Sequence, residues 1–115
     1  MNTTEIANHK TVYWHRELPP INAKALGEHI VEATSKRVSN TLLHRDELWD
    51  CCYEGLMANA GARIEQEVGR LGGTCAHVLD ESVNSRSNDV THEAWLHGRF
   101  RYMLYRDEPK PTHDA

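Results

Sequence analysis

The sequence has no long apolar run, few cysteines and no excess of basic residues, and each absence excludes a class of protein. No stretch approaches the roughly 18 apolar residues that a membrane-spanning helix requires. Residues 1–10 lack the apolar segment of a secretory signal. Lysine and arginine number 13 against 17 aspartates and glutamates, whereas binding to nucleic acid through general charge needs clustered basic residues. We therefore expect a cytoplasmic protein that binds neither membranes nor nucleic acid.

The three cysteines, Cys51, Cys52 and Cys75, are odd in number and their spacing suits no disulfide framework. Cys51 and Cys52 are consecutive within a predicted helix, where successive side chains diverge by about 100°, so a bond between them is not expected. The linear zinc motifs C-x-x-C and H-E-x-x-H do not occur, and the motifs G-x-x-x-x-G-K-[ST] and G-x-S-x-G are also missing. We predict reduced thiols, and an enzyme is the less favoured interpretation.

The composition that is present is that of one globular domain. The 115 residues include 39% hydrophobic and 26% charged residues, a balance typical of a protein with a single hydrophobic core. Prolines among charges in residues 107–115 predict a disordered tail, and the polar residues 1–10 predict a frayed N-terminus. We place the single α+β domain at residues 11–106.

The clearest predicted element is a helix from Asp46 to Leu71. Apolar residues recur along it in steps of three and four, which places them on one stripe. They are Leu48, Trp49, Cys52, Leu56, Ala60, Ile64, Val68 and Leu71. Gly72 and Gly73 follow directly and can adopt the left-handed conformation that ends a helix.

Four strands are predicted around this helix, because β-branched and aromatic residues alternate with polar ones on both sides of it. Residues 11–15 and 28–38 precede the helix, and residues 74–83 and 91–105 follow it. Turn-forming residues at 84–89 predict a loop. The order β-β-α-β-β predicts an antiparallel-rich sheet of about four strands, covered by one long helix.

The last predicted strand divides its side chains between two faces of different chemistry. The even-numbered residues from 94 to 104 are apolar or small and suit packing against the helix. The opposite face carries Trp95, His97, Arg99, Arg101, Met103 and Tyr105. Tryptophan, tyrosine, methionine and arginine are enriched in interface cores, although a half-solvated sheet face would also look like this. We predict self-association through this face, which Tyr13 and Trp14 could extend.

Histidine is unusually frequent, with eight residues in the chain. A transition-metal site needs imidazoles, thiolates or carboxylates that converge on one ion. Cys75 and His77 are two residues apart in a predicted strand, so they share a face and could chelate zinc or copper. The alternative is that both pack against the helix, with His77 bound to a backbone group.

Residues on both sides of the predicted helix end are similar to a known family. Residues 63–78 read RIEQEVGRLGGTCAHV and resemble the helix-to-strand junction of the YbjQ-like heavy-metal-binding family. In that family a long charged helix ends in a Leu-Gly-Ala pattern and continues into an apolar strand. Residues 27–32 resemble its early strand and residues 95–98 its closing strand, whereas Cys75 and His77 depart from the small or branched apolar residues that the family prefers there. The resemblance implies a small α+β subunit in a ring-like homo-oligomer.

Two functions follow from these observations. The first is a non-enzymatic homo-oligomer without a resident cofactor, whose sheet face forms subunit contacts and could hold a small ligand. The second is a transition-metal-binding protein that uses Cys75, His77 and a further histidine.

Overall fold

The computed structural model describes residues 11–17, 19, 22–40 and 45–107. In chain order its elements are β1 (Val12–Trp14), β2 (Ala23–Thr34), β3 (Val38–Ser39), α1 (Arg45–Arg70), β4 (Cys75–Asn88) and β5 (Glu93–Asp107). The α+β class and the single long helix are confirmed within these residues. The predicted order β-β-α-β-β is wrong, because it omitted β3. The predicted frayed N-terminus and the tail beyond Asp107 lie outside the described residues.

The five described strands form one mixed sheet in the order β1-β4-β5-β2, and β3 pairs with the start of β5. β1 runs parallel to β4, whereas β5 is antiparallel to β2, β3 and β4. The prediction of an antiparallel-rich sheet of about four strands is therefore wrong. The alternation of apolar and polar residues identifies a strand but does not show which strand pairs with it. β1 pairs with β4, which lies more than 60 residues later in the chain. The long connection between them allows β1 to enter in either direction.

β4 and β5 form the longest pair in the sheet, from Cys75 opposite Tyr105 to Asn88 opposite Glu93. The prediction of a loop at residues 84–89 is wrong, because residues 84–88 continue β4 in register with β5. A register shift between Val78 and Asp80 inserts one extra residue into β4. Such a bulge reverses which face the following side chains occupy.

α1 buries its apolar stripe against one face of the sheet. The wholly or largely buried positions are Leu48, Cys52, Leu56, Ala60, Ile64 and Val68. They meet the even-numbered residues of β5, which are buried from Ala94 to Leu104. The helix ends where Gly72 adopts a φ of 80° and the Gly73 N–H donates to the Val68 carbonyl at 2.9 Å, a closure that glycine permits. The opposite face of the sheet is left for other contacts.

Within the described ranges, no helix combines the length and the apolar composition needed to cross a membrane.

Candidate functional site

The six predicted interface residues lie on the face of β5 that points away from α1, which we call the outer face. They are Trp95, His97, Arg99, Arg101, Met103 and Tyr105, and each alternates with a buried neighbour. β2 and β4 flank β5 on either side, so their outward side chains complete the surface. The structure places all six residues along this face, and the one helix of the described residues packs on the other side.

Arg101 ties β5 to both neighbouring strands across the outer face. Its Nη1 donates to Glu28 Oε1 of β2 at 2.9 Å, and its Nε donates to Asp80 Oδ2 of β4 at 3.0 Å. The bonds to Asp80 first, and those to Glu28 second, raise the pKa of the guanidinium. Arg101 therefore already has two partners in its own chain and is a weaker candidate for a subunit contact than the sequence suggests.

His97 forms a second polar link across the outer face. Its Nε2 lies 2.8 Å from Glu32 Oε1 of β2, and its Nδ1 lies 3.4 Å from Arg86 Nη2 of β4. Because arginine can only donate, Nδ1 must accept, so Nε2 carries the proton and donates to Glu32. This geometry fixes the ring of His97 between two charged groups.

Trp95 is covered on one side by a residue from the segment after β2. The guanidinium carbon of Arg37 lies 4.1 Å from the centre of the indole ring, within the range of a cation–π contact. Arg37 also lies 3.6 Å from Glu93 Oε1. Trp95 is consequently half-buried and held in place, and it exposes less apolar area than it would without the Arg37 side chain.

Arg99 and Ile30 are both exposed on the outer face. Arg99 is exposed, and no carboxylate in the described part of the chain lies within ion-pair distance of it. Ile30 is 47% exposed, although it is a large apolar residue in the middle of β2. The two side chains line one shallow depression of about 200 Å³, together with Asp80 and Ser82. An unpaired cation thus lies beside exposed apolar surface.

The two aromatic residues of β1 point in different directions. Trp14 packs on the helix side, where its ring lies 6.1 Å from that of Phe100 in an edge-on arrangement. Tyr13 is in register with His77 of β4, which places it on the outer face. The expectation that both residues extend the outer face therefore holds only for Tyr13.

Cys75 and His77 occupy the same face of β4, opposite Tyr105 and Met103. Cys75 is 3% exposed, and burial raises the pKa of its thiol. His77 Nε2 lies 2.7 Å from the backbone carbonyl of His15, so this nitrogen donates and is not free for a metal. No three His, Cys, Asp or Glu side chains among the described residues are grouped so that they could hold a metal ion. The backbone partner of His77 agrees with the alternative interpretation given for this pair. Its other half, packing of both residues against the helix, is wrong, because their cross-strand partners lie on the outer face.

The structure also shows a polar cluster that the sequence did not predict. Glu81 accepts the Tyr53 hydroxyl on Oε2 at 2.9 Å, while His15 Nε2 lies 2.8 Å from Oε1. The bulge in β4 turns Glu81 toward the helix, so it links β1, β4 and α1. Burial, followed by the bond to Glu81, raises the pKa of Tyr53. The cluster holds the end of β1 against the helix, and no pattern in the sequence identifies the bulge that creates it.

A groove of about 590 Å³ lies between α1 and β2. Its lining combines polar and apolar surface in similar amounts and consists of Glu32, Ala33, Thr34, Asn59, Ala62, Arg63, Gln66 and His97. Asn59 Nδ2 donates to the Thr34 carbonyl at 2.8 Å and fixes the helix to the strand there. A carboxylate, a guanidinium and amides at one groove suit a small polar ligand. Apart from His97, which was predicted for the outer face, sequence reasoning missed these residues because they belong to elements that are distant in the chain.

Comparison of the chain with models of protein families, with curated proteins and with solved structures found no match. The resemblance to the YbjQ-like family stays a prediction.

Proposed function

We propose that this protein is a non-enzymatic homo-oligomer whose subunits meet through the outer face. The observation that carries the proposal is the pair formed by Arg99 and Ile30. An exposed guanidinium without a carboxylate partner in the described residues lies beside an isoleucine that is 47% exposed. A second copy would supply both an apolar cover and an acidic partner.

The internal pairing of the other outer-face residues lowers the entropic cost of association. Arg101, His97 and Trp95 are each held by partners from the same chain. Side chains that are already ordered lose little conformational entropy when a partner binds. Arginine suits such a contact because its planar group can bind a carboxylate in a bidentate manner. Exposed acceptors are present on the same surface, since the Glu32 side chain is 58% and the Asp80 side chain 61% exposed.

A two-fold arrangement would use these groups reciprocally. In a symmetric dimer, a residue that contacts a second residue across the interface is contacted by that residue's copy in return. Arg99 of each subunit would then meet an acidic residue of the other, and the Ile30 side chains would be buried near the centre. The family resemblance implies a ring-like assembly, which is a further prediction about self-association.

The test is sedimentation equilibrium of the wild type and two charge-reversal variants over a wide concentration range. Arg99→Glu should shift the population toward monomer, because it places an acid against the acids of the partner. Arg70→Glu is the matched control, since it makes the same change at an exposed position of α1 that lines neither the groove nor the outer face. It should assemble as the wild type does. A wild type that is monomeric at the highest concentration would contradict the proposal, and so would an Arg99→Glu variant that assembles normally.

The small ligand expected from the sequence is proposed to bind in the groove between α1 and β2. Arg63, Gln66 and Glu32 supply its polar contacts. The second hypothesis, a zinc or copper site at Cys75 and His77, gains no support from the described residues and stays a prediction, as does the cytoplasmic location.

A further inference from the structure

The two consecutive thiols of α1 are in direct contact. Cys51 Sγ lies 2.9 Å from Cys52 Sγ. Cys51 is exposed, whereas Cys52 is only 1% exposed and belongs to the apolar stripe. Because successive side chains on a helix diverge by about 100°, side-chain rotation must bring the two sulfurs together. The pair therefore reaches from the solvent to the core.

A disulfide is not the natural product of this contact. Consecutive Cα atoms are about 3.8 Å apart, whereas disulfide-linked residues usually have Cα atoms at least about 4.4 Å apart. α1 continues without interruption through both residues, so a bond between them would have to distort the helix. Both cysteines are free, and the strain of the oxidised form favours the dithiol.

The surroundings of the pair favour protonated thiols. Cys51 Sγ donates to the Leu48 carbonyl at 3.5 Å, and Cys52 Sγ lies 4.0 Å from the Lys36 carbonyl. The bond with Cys52, and burial after it, raise the pKa of Cys51, although Lys36 acts in the opposite direction. Protonated thiols are weak nucleophiles, so the pair is poorly suited to covalent catalysis. Two adjacent sulfurs remain well suited to chelation.

We propose that Cys51 and Cys52 form a dithiol site that chelates one trivalent, thiophilic centre of the arsenic(III) type. Soft sulfur ligands select soft acceptors. With bonds of about 2.3 Å, as zinc forms with sulfur, two sulfurs on a linear centre would lie about 4.6 Å apart. The same bonds at a right angle would place them about 3.3 Å apart. The observed contact is close to the second value, so a pyramidal centre fits and a linear two-coordinate ion does not.

The reaction with phenylarsine oxide, an organic arsenic(III) compound, shows how such a centre would bind. Both S–H bonds and the arsenic–oxygen double bond break, and two arsenic–sulfur bonds form. The oxygen leaves with the two protons as water, so nothing is oxidised or reduced. Because the protons leave in the product, neutral thiols are sufficient. The exposed Cys51 would react first, and the adjacent Cys52 would close the ring.

The experiment is intact-mass spectrometry of the full chain after incubation with phenylarsine oxide and excess glutathione. Glutathione, a monothiol, removes arsenic held by a single sulfur, whereas a chelate survives. The wild type should gain the mass of one phenylarsine oxide less one water. Cys51→Ser and Cys52→Ser should both lose this adduct, while Cys75→Ser, which changes a distant buried thiol, should keep it.

Circular dichroism of each variant separates loss of the site from loss of the fold. Cys51 is exposed, so Cys51→Ser should remain folded even if Cys52→Ser does not. The proposal would be overturned by a wild type that forms no adduct. It would also be overturned by an adduct that persists in Cys51→Ser, or by one that disappears in Cys75→Ser. None of these results depends on the oligomeric state, so the dithiol site and the proposed assembly are tested separately.

Discussion

Truncation of Leu56 tests the packing of the helix against the sheet. Leu56 is wholly buried, and a Cβ built on Gly98 would lie 3.3 Å from its Cδ2 atom. Leucine-to-alanine changes in cores cost about 2.7 to 5 kcal/mol, and more when neighbours cannot fill the cavity. Gly98 has no side chain that could move into the space. We therefore expect Leu56→Ala to lower the free energy of unfolding by about 4 kcal/mol, which is a large part of the roughly 5–15 kcal/mol of a typical domain.

Urea unfolding monitored by circular dichroism measures this loss of free energy. All variants are measured at the same protein concentration, so that any assembly affects them equally. In thermal unfolding the same change should lower Tm by roughly 15 °C. Glu54→Ala is the control, because Glu54 is exposed on the same helix and alanine is a good helix former. A loss below about 1 kcal/mol for Leu56→Ala would refute the helix register, and Leu56→Asp with wild-type stability would do so still more directly.

Two further predictions concern buried titratable groups and metal. Burial raises the pKa of Cys75 above its ordinary 9.0 and that of Tyr102 above its ordinary 10.0. Both groups are neutral below these values, so their contribution to the free energy of unfolding should be constant up to about pH 9 and fall above it. Cys75→Ser combined with Tyr102→Phe should reduce that fall in pH-dependent urea titrations. Cys75→Ala combined with His77→Ala should lower Tm and leave the zinc or copper content unchanged in elemental analysis. Loss of bound metal with an unchanged Tm would support the metal hypothesis instead.

The helix and the two faces of β5 could be predicted because each follows from a short-range period. Steps of three and four residues placed Leu48, Leu56 and Ile64 on one stripe, and all three are buried. Strict alternation from residue 94 to residue 105 separated the buried face of β5 from the outer face. Both patterns reflect burial on one side of an element, which is a property that the local sequence encodes directly.

The sheet order and the polar end of β4 could not be predicted in the same way. Residues 84–88 have turn-forming side chains, yet they pair with β5 because the ladder is held by backbone hydrogen bonds that any residue except proline can make. The parallel position of β1 depends on long-range pairing, and the bulge at Leu79 depends on a single extra residue. Neither leaves a periodic signal, and the bulge decides that Glu81 faces Tyr53.

The candidate site shows why residue type alone assigns an interface only approximately. Arg99 and Arg101 are two residues apart on the same face of β5, and nothing in the sequence distinguishes their roles. The difference comes partly from β4, which places Asp80 directly opposite Arg101 but Ser82 opposite Arg99. In β2, Glu32 lies opposite Arg99, but its Oε1 is 2.8 Å from His97 Nε2. Arg101 is therefore engaged within its own chain, while Arg99 has no carboxylate of the described residues within ion-pair distance. If the subunits meet through the outer face, the cation that binds the partner is Arg99, whose cross-strand neighbour in β4, Ser82, carries no charge.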